Sequence, residues 1–186
     1  MGVLNSALGH CLAQRKRPAR LLILLLSGLL VAAPVTAMDK THRVKAALIY
    51  QFAKYTHWPK AMGDTITFCT YGGDTLGGAL HTVQNKRVRN MRVDVRHVSS
   101  LPDVLRYCQV LFIGAQQSSL PNLLGGLENS AILTVGENKN FTHLGGMINF
   151  VRRGLKQKFE INQMATAKAN LNLSSKLLQI AVSPRS

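Results

Sequence analysis

Acidic residues are scarce in this chain. Eight Asp and Glu stand against 23 Lys and Arg, which gives a formal net charge of +15. Such an excess favours anionic partners, and nucleic acid is the first to consider. The basic residues are dispersed, however, and in the stretch KRVRNMRVDVR at 86–96 the charges largely alternate, as on the solvated face of a strand. The charge therefore predicts no nucleic-acid site. It leaves open an acidic protein partner, a weak contact with a membrane surface, or simple solvation.

Motifs that carry chemistry are lacking as well. The chain has no H-E-x-x-H, C-x-x-C or G-x-S-x-G, its histidines do not stand at metal-ligand spacing, and its carboxylates never pair closely. These are the usual tools of metal-dependent, nucleophilic and acid–base catalysis. We therefore predict no catalytic residue, no metal and no cofactor. A hydrolase whose site assembles only in three dimensions is the alternative.

Glycines 72, 73, 77 and 78 follow a β-rich run and precede a predicted helix, as the glycines of a dinucleotide-binding loop do. Their spacing does not match G-x-G-x-x-G. We interpret Gly72 and Gly73 as a strand-to-helix turn that needs a positive φ or close packing.

The N-terminal stretch has the pattern of a secretory signal peptide. A basic segment, RKRPAR at 15–20, precedes the uncharged apolar run 21–35, and VTA at 35–37 offers small residues for cleavage. The run is short for a membrane span, which needs about 20 apolar residues, although an uncleaved anchor is the alternative. We predict a signal peptide at 1–37 and one exported domain at 38–186. Removing residues 1–37 lowers the net charge from +15 to +11.

Cysteine is nearly absent from the predicted domain, which keeps only Cys69 and Cys108. Two cysteines in an oxidising compartment most simply form one disulfide. A pair of buried free thiols is the alternative.

Strand-like and helix-like segments alternate along the predicted domain. The predicted strands are 65–72, 91–98, 108–115 and 131–137. The predicted helices are 40–58, 75–85, 100–107 and 119–129. An antiparallel hairpin around Arg153-Gly154 and a helical segment broken near 170–172 follow. This order predicts an α/β fold: a mostly parallel sheet flanked by helices on both faces, with a C-terminal antiparallel hairpin.

Aromatic residues crowd into one stretch, VKAALIYQFAKYTHWP at 44–59. On a helical wheel this stretch has two apolar sides, whereas a helix at a solvated surface needs only one. Neighbouring helices of the same domain explain the second side, and so does an interface, where aromatics are enriched. We predict that Tyr50, Tyr55 and Trp58 face a partner protein or a second copy of the chain.

Together with GGMINFVRRGLKQKFEIN and ANLNLSSKLLQIA, this stretch resembles the YfiR family of exported bacterial proteins. The resemblance covers essentially all of residues 38–186. It implies an α/β fold, a homodimer and no catalytic activity. It also implies a periplasmic repressor that binds the periplasmic sensor domain of an inner-membrane diguanylate cyclase. Such a repressor lowers cyclic di-GMP and is tied to biofilm control.

The resemblance is incomplete at its cysteines. Repressor-type members carry two cysteine pairs, and Cys69 and Cys108 fall where the first pair is expected. The second pair would fall roughly at Thr142 and Asn149, where this chain has no cysteine, so redox sensitivity from that pair does not carry over. The alternative function is a periplasmic small-ligand sensor or carrier with a pocket near Gly72 and Gly114, at the strand ends.

Overall fold

The computed structural model describes residues 40–59, 63–73, 75–115 and 119–183. These residues belong to one compact unit, Ala37–Ser186. The predicted signal peptide at 1–37 lies outside the described residues. None of the helices described is long and apolar enough to cross a bilayer.

The described residues form a sheet of seven strands: β2 (Thr65–Tyr71), β3 (Arg87–Val88), β4 (Met91–Val98), β5 (Val110–Ile113), β6 (Leu133–Gly136), β7 (Ile148–Arg153) and β8 (Lys156–Ile161). Their order across the sheet is β3-β4-β2-β5-β6-β7-β8. Neighbours from β4 through β7 run parallel, and β3 and β8 are antiparallel edge strands. The predicted α/β class with its C-terminal hairpin is confirmed.

Helices cover both faces of the sheet, as predicted. They are α1 (Lys40–Lys54), α2 (Leu101–Tyr107), α3 (Leu120–Gly126), α4 (Gln163–Lys168) and α5 (Ser175–Ile180), with a 3₁₀ turn at Ala79–Val83. All of β5 is buried. Val110 and Phe112 point into the core beneath α1, whereas Leu111 and Ile113 join the core beneath α2 and α3. A continuous apolar run is what a strand buried on both faces requires.

Three predicted helices are shorter than expected, and one of them, α3, ends at Gly126 instead of at 129. α1 ends at Lys54, because Thr56–His57 leaves it to form strand β1, which pairs with β9 (Asn172–Leu173). The fully buried Thr56 hydroxyl donates to the Phe52 carbonyl at 2.8 Å and completes the turn. Within 75–85 only the 3₁₀ turn forms, since Gly77 and Gly78 precede it with φ of +54° and +73°, which a regular helix excludes.

The C-terminal part follows the sequence closely. The hairpin turn consists of Gly154 (φ +60°) and Leu155, one residue later than expected. Asn170, with φ of +54°, breaks the last helical segment. Ser174 then caps α5 by accepting a hydrogen bond from the Leu177 amide, as Ser does at helix starts.

Cys69 and Cys108 form a disulfide, as predicted. Their Cα atoms are 5.8 Å apart, and the bridge spans 39 positions. Cys69 lies in β2 and Cys108 just before β5, its neighbour in the sheet, and both are buried. The loop that the bridge closes contains β3, β4 and α2.

Candidate partner-binding surface

The described residues contain no cluster of three or more His, Cys, Asp or Glu that could hold a metal ion. The aromatic stretch of the sequence forms α1 and the segment after it, and the surface of α1 is the candidate functional site.

One side of α1 belongs to the core. Ala46, Ile49, Phe52 and Ala53 are fully buried. The Phe52 ring lies 5.8 Å from the ring of Phe150 and 4.8 Å from that of Phe159, on the two hairpin strands. Neighbouring elements of the same domain thus cover this apolar side.

The opposite side of α1 is open to solvent. Val44 and Tyr55 are 40% and 39% exposed, and Ala47 and Gln51 between them are exposed as well. This spacing of three or four residues aligns them along one helix face. We call these four residues the outer stripe. A helical wheel puts Phe52 within about 60° of Tyr55, but the Phe52 side chain is fully buried in the core.

Cations border the outer stripe. Lys40, Arg43 and Lys54 of α1 are exposed, and α1 contains no acidic residue. The surface thus has a small centre that is apolar except for Gln51, with one aromatic ring and a basic rim. This is the pattern expected of a docking site for an acidic partner.

Tyr50 connects α1 to the edge of the sheet. Its hydroxyl donates to the Arg87 carbonyl at 2.6 Å. The ammonium groups of Lys54 and Lys86 each lie 5.6 Å from the ring centroid, within range of a cation–π attraction. The half-buried ring therefore holds two cations next to the outer stripe.

Trp58 anchors the segment after α1. Its indole Nε1–H donates to the Ala131 carbonyl at 3.1 Å, and the ring packs half-buried against the core. Tyr50 and Trp58 thus have intramolecular hydrogen bonds, whereas Tyr55 presents its ring to solvent. That the three rings meet a partner stays a prediction.

An ion pair between Lys45 and Glu137 fixes α1 on the sheet. It joins the middle of the helix to the residue after β6, and its side chains are only 12% and 13% exposed. At such burial, separating the two side chains would leave an uncompensated charge, which is strongly destabilising. With the Tyr50 and Trp58 contacts, this pair places the outer stripe on a fixed support.

A second surface feature is a cavity of about 570 Å³ over β7 and β8, lined by Lys139, Asn140, Thr142, His143, Asn149, Val151 and Glu160. The Asn149 Oδ1 is buried and has no hydrogen-bond partner among the described residues. Glu160, 7% exposed, accepts a bond from Arg153 at 3.3 Å. Thr142 and Asn149, where the second cysteine pair was expected, thus line one cavity. Glu160 was not predicted as a site residue. The signal for it in the sequence is an acid between two apolar residues, Phe159 and Ile161.

At the strand ends near Gly72 and Gly114, where a ligand pocket was expected, the side chain of Thr75 lies close to Gly114. A Cβ built on Gly114 would lie 2.7 Å from the Thr75 Oγ1, so Thr75 packs directly on the glycine.

A family model described as YfiR/HmsC-like matches residues 42–182, well over half of the chain. A comparison with the curated proteins finds no match.

Two solved structures align with the chain at low sequence identity. An ABC domain in complex with L-Trp from Streptococcus pneumonia aligns with a TM-score of 0.51 and 9% identity, covering 74% of this chain and 59% of that one. A conserved domain protein from Vibrio cholerae aligns with a TM-score of 0.48 and 10% identity, covering 77% and 60%. The chain thus spans about three fifths of either structure. At 9% identity the first likeness shows the α/β fold alone.

Proposed function

Because this chain belongs to the YfiR/HmsC-like family, we propose that it is a non-catalytic periplasmic regulator, exported with cleavage of residues 1–37. It binds the periplasmic sensor domain of an inner-membrane signalling protein, a diguanylate cyclase, and represses it. Cyclic di-GMP falls as a result. The observation that carries the proposal, beside the family, is the outer stripe: an exposed helix face with three apolar residues out of four and a basic rim, held on a fixed support.

Repression follows from differential affinity. A regulator shifts its partner's equilibrium only by the difference between its affinities for the two states. The protein therefore binds the inactive arrangement of the sensor domain more tightly, and a signal that weakens binding raises cyclase output. A shift from 1:99 to 99:1 needs a difference of about 10⁴-fold.

Tyr55 is the residue on which this surface depends most, because aromatic anchors dominate binding energy at interfaces. Tyr50 and Trp58 contribute by holding the rim cations and the end of α1. The protein also forms a homodimer, whose mass is measured by light scattering. If Tyr55→Ala dissociated that dimer and left partner binding intact, the outer stripe would be the dimer interface instead.

The first experiment identifies the partner by crosslinked pull-down of the tagged protein from its own cells. Recovery of a protein with a diguanylate cyclase domain supports the proposal. Recovery of a different receptor keeps the regulator and discards the cyclic di-GMP output.

The second experiment tests the surface with the purified sensor domain. Tyr55→Ala should weaken binding by about tenfold or more, as truncating an interface anchor does. Met164→Ala is the matched control, since Met164 is an apolar residue of α4 that is 77% exposed. Equal affinity of the two variants, both folded by circular dichroism, would refute the assignment of the outer stripe.

A second function, a small-ligand sensor, is favoured by the cavity over β7 and β8. The buried Asn149 Oδ1 offers an unused acceptor close to the Glu160 carboxylate, and a ligand with an N–H donor or an amine would satisfy it. A ligand at 100 times its Kd adds about 2.7 kcal/mol, which thermal shift detects. Asn149→Ala should abolish that shift, and Asn122→Ala on α3 should not.

A further inference from the structure

The hairpin of β7 and β8 extends past the rest of the sheet. Among the described residues, β6 pairs with β7 only at Ile148 and Asn149, whereas β7 and β8 remain paired as far as Arg153 and Lys156. The segment 151–158 is therefore a two-stranded arm. Phe150 and Phe159 at its base are buried against Phe52 of α1, so the arm projects from a rigid part of the core.

The tip of this arm presents an isolated apolar side chain. Leu155 is 96% exposed, more than any other large apolar residue in the part of the chain that the structure describes. It occupies the second turn position, after Gly154. Single exposed leucines are common on protein surfaces, but here the leucine stands at the apex of a projection, where it meets whatever the arm touches first.

Cations surround the tip. Arg152 and Lys156 are exposed, and Arg153 and Lys158 are partly exposed. Glu160 is the acid on the hairpin, and it lies at the base, 7% exposed and bonded to Arg153. The outer part of the arm therefore has a purely positive surface.

We propose that this arm seats the protein on an anionic phospholipid bilayer. Leu155 enters the boundary between headgroups and acyl chains, and Arg152 and Lys156 bind lipid phosphates. A protruding apolar residue ringed by cations suits a lipid interface, which accommodates a single side chain and lets long cationic side chains reach the headgroups. A protein partner would instead need a pocket matched to one leucine, and interface anchors sit within a wider apolar patch.

Such an arm would assist the proposed regulation, on which this inference rests. A protein held at the membrane surface meets an inner-membrane partner at a raised effective concentration. The attachment is reversible, because one apolar side chain and a few cations give only weak membrane affinity.

The test measures co-sedimentation with vesicles of phosphatidylglycerol mixed with phosphatidylcholine, and with vesicles of phosphatidylcholine alone. The full domain should bind the former, and binding should weaken as salt rises. Leu155→Ser should lower the partition coefficient about tenfold, because the variant loses the free energy of burying one leucine side chain. The double variant Arg152→Gln, Lys156→Gln should lower it by a similar factor or more.

Two control variants distinguish binding through the arm from non-specific binding through exposed cations or apolar side chains elsewhere. Met164→Ser removes an apolar side chain that is 77% exposed on α4. The double variant Arg92→Gln, Lys176→Gln removes two exposed cations outside the arm. Both should change the partition coefficient less than about twofold, as surface changes away from the contact do.

Absence of binding to phosphatidylglycerol vesicles would overturn the inference, and so would an equal loss in the controls. If Leu155→Ser instead weakened binding to the soluble sensor domain, the arm would be a protein-docking element. The proposed function fails separately, since it predicts that the sensor domain binds without any membrane.

Discussion

Reduction of the Cys69–Cys108 disulfide should remove a large part of the stability of this domain. The bridge closes a loop of 39 positions. In the chain-entropy description, a crosslink of that span restricts the unfolded chain by about 4 kcal/mol. Typical domains have only about 5–15 kcal/mol in total, so the reduced protein should be near the margin of stability.

Urea denaturation of the oxidised and the dithiothreitol-treated protein measures this difference. With a slope of about 2 kcal/mol per molar urea, a loss of 4 kcal/mol shifts the midpoint by about 2 M. The thermal midpoint should fall by about 8–16 °C, at about 2–4 °C per kcal/mol for a domain of this size.

The double variant Cys69→Ala, Cys108→Ala is the matched control. Both positions are buried, 0% and 3% exposed, so the variant loses some packing in addition to the crosslink. Its midpoint should lie at or below that of the reduced protein, and dithiothreitol should not change it. Equal midpoints for the oxidised and reduced wild-type protein would refute the reasoning, because the loop constraint would then be absent from the energetics.

Three further predictions concern single sites. Gly146→Ala should lower the free energy of unfolding by about 1–3 kcal/mol through overpacking, since its Cβ would lie 2.1 Å from the Phe141 ring. In urea denaturation, adding Phe141→Leu to Gly146→Ala should recover part of that loss. A hydrogen bond from the Arg96 side chain holds the pKa of Asp94 below its ordinary value of 3.8. The contribution of Asp94 to stability is therefore present above that value and is lost as pH falls through the lower folded-state pKa. Arg96→Gln should raise the Asp94 pKa in an NMR titration, and an unchanged value would contradict the assignment. Asn162→Ala should cost about 1–2 kcal/mol in thermal unfolding by removing the α4 cap, whereas Asn162→Asp, which keeps the acceptor, should lose less.

The sheet was predictable because its strands carry strong signals. An apolar run such as 110–113 fits a strand buried on both faces, and the alternation in 91–98 marks β4 with its true bounds. The pair β1 and β9 was not predictable, since two-residue strands form only where tertiary packing brings them together. For the same reason the prediction from the apolar periodicity placed the end of α1 at 58, whereas the helix ends at Lys54.

The surface of α1 was predictable in part. The sequence showed two apolar sides, but it could not place the border between core and solvent, which falls between Phe52 and Tyr55. That border is set by Phe150 and Phe159, which are remote in the chain. Likewise, a hairpin turn one residue later than expected changes the register, and only the observed register puts Asn149 opposite Glu160.

The pairing of β1 with β9 also limits when this domain can fold. Thr56 and His57 near one end of the domain find their partners at Leu173 and Asn172 near the other, and Val182 bridges back to Glu160. Contacts between such distant segments form late, because loop closure must precede them. A chain emerging from a ribosome therefore cannot complete its native structure until nearly all of it has been made. For the proposed export this delay is useful, since a polypeptide that is not yet folded can pass through a narrow export channel and fold after it has crossed the membrane.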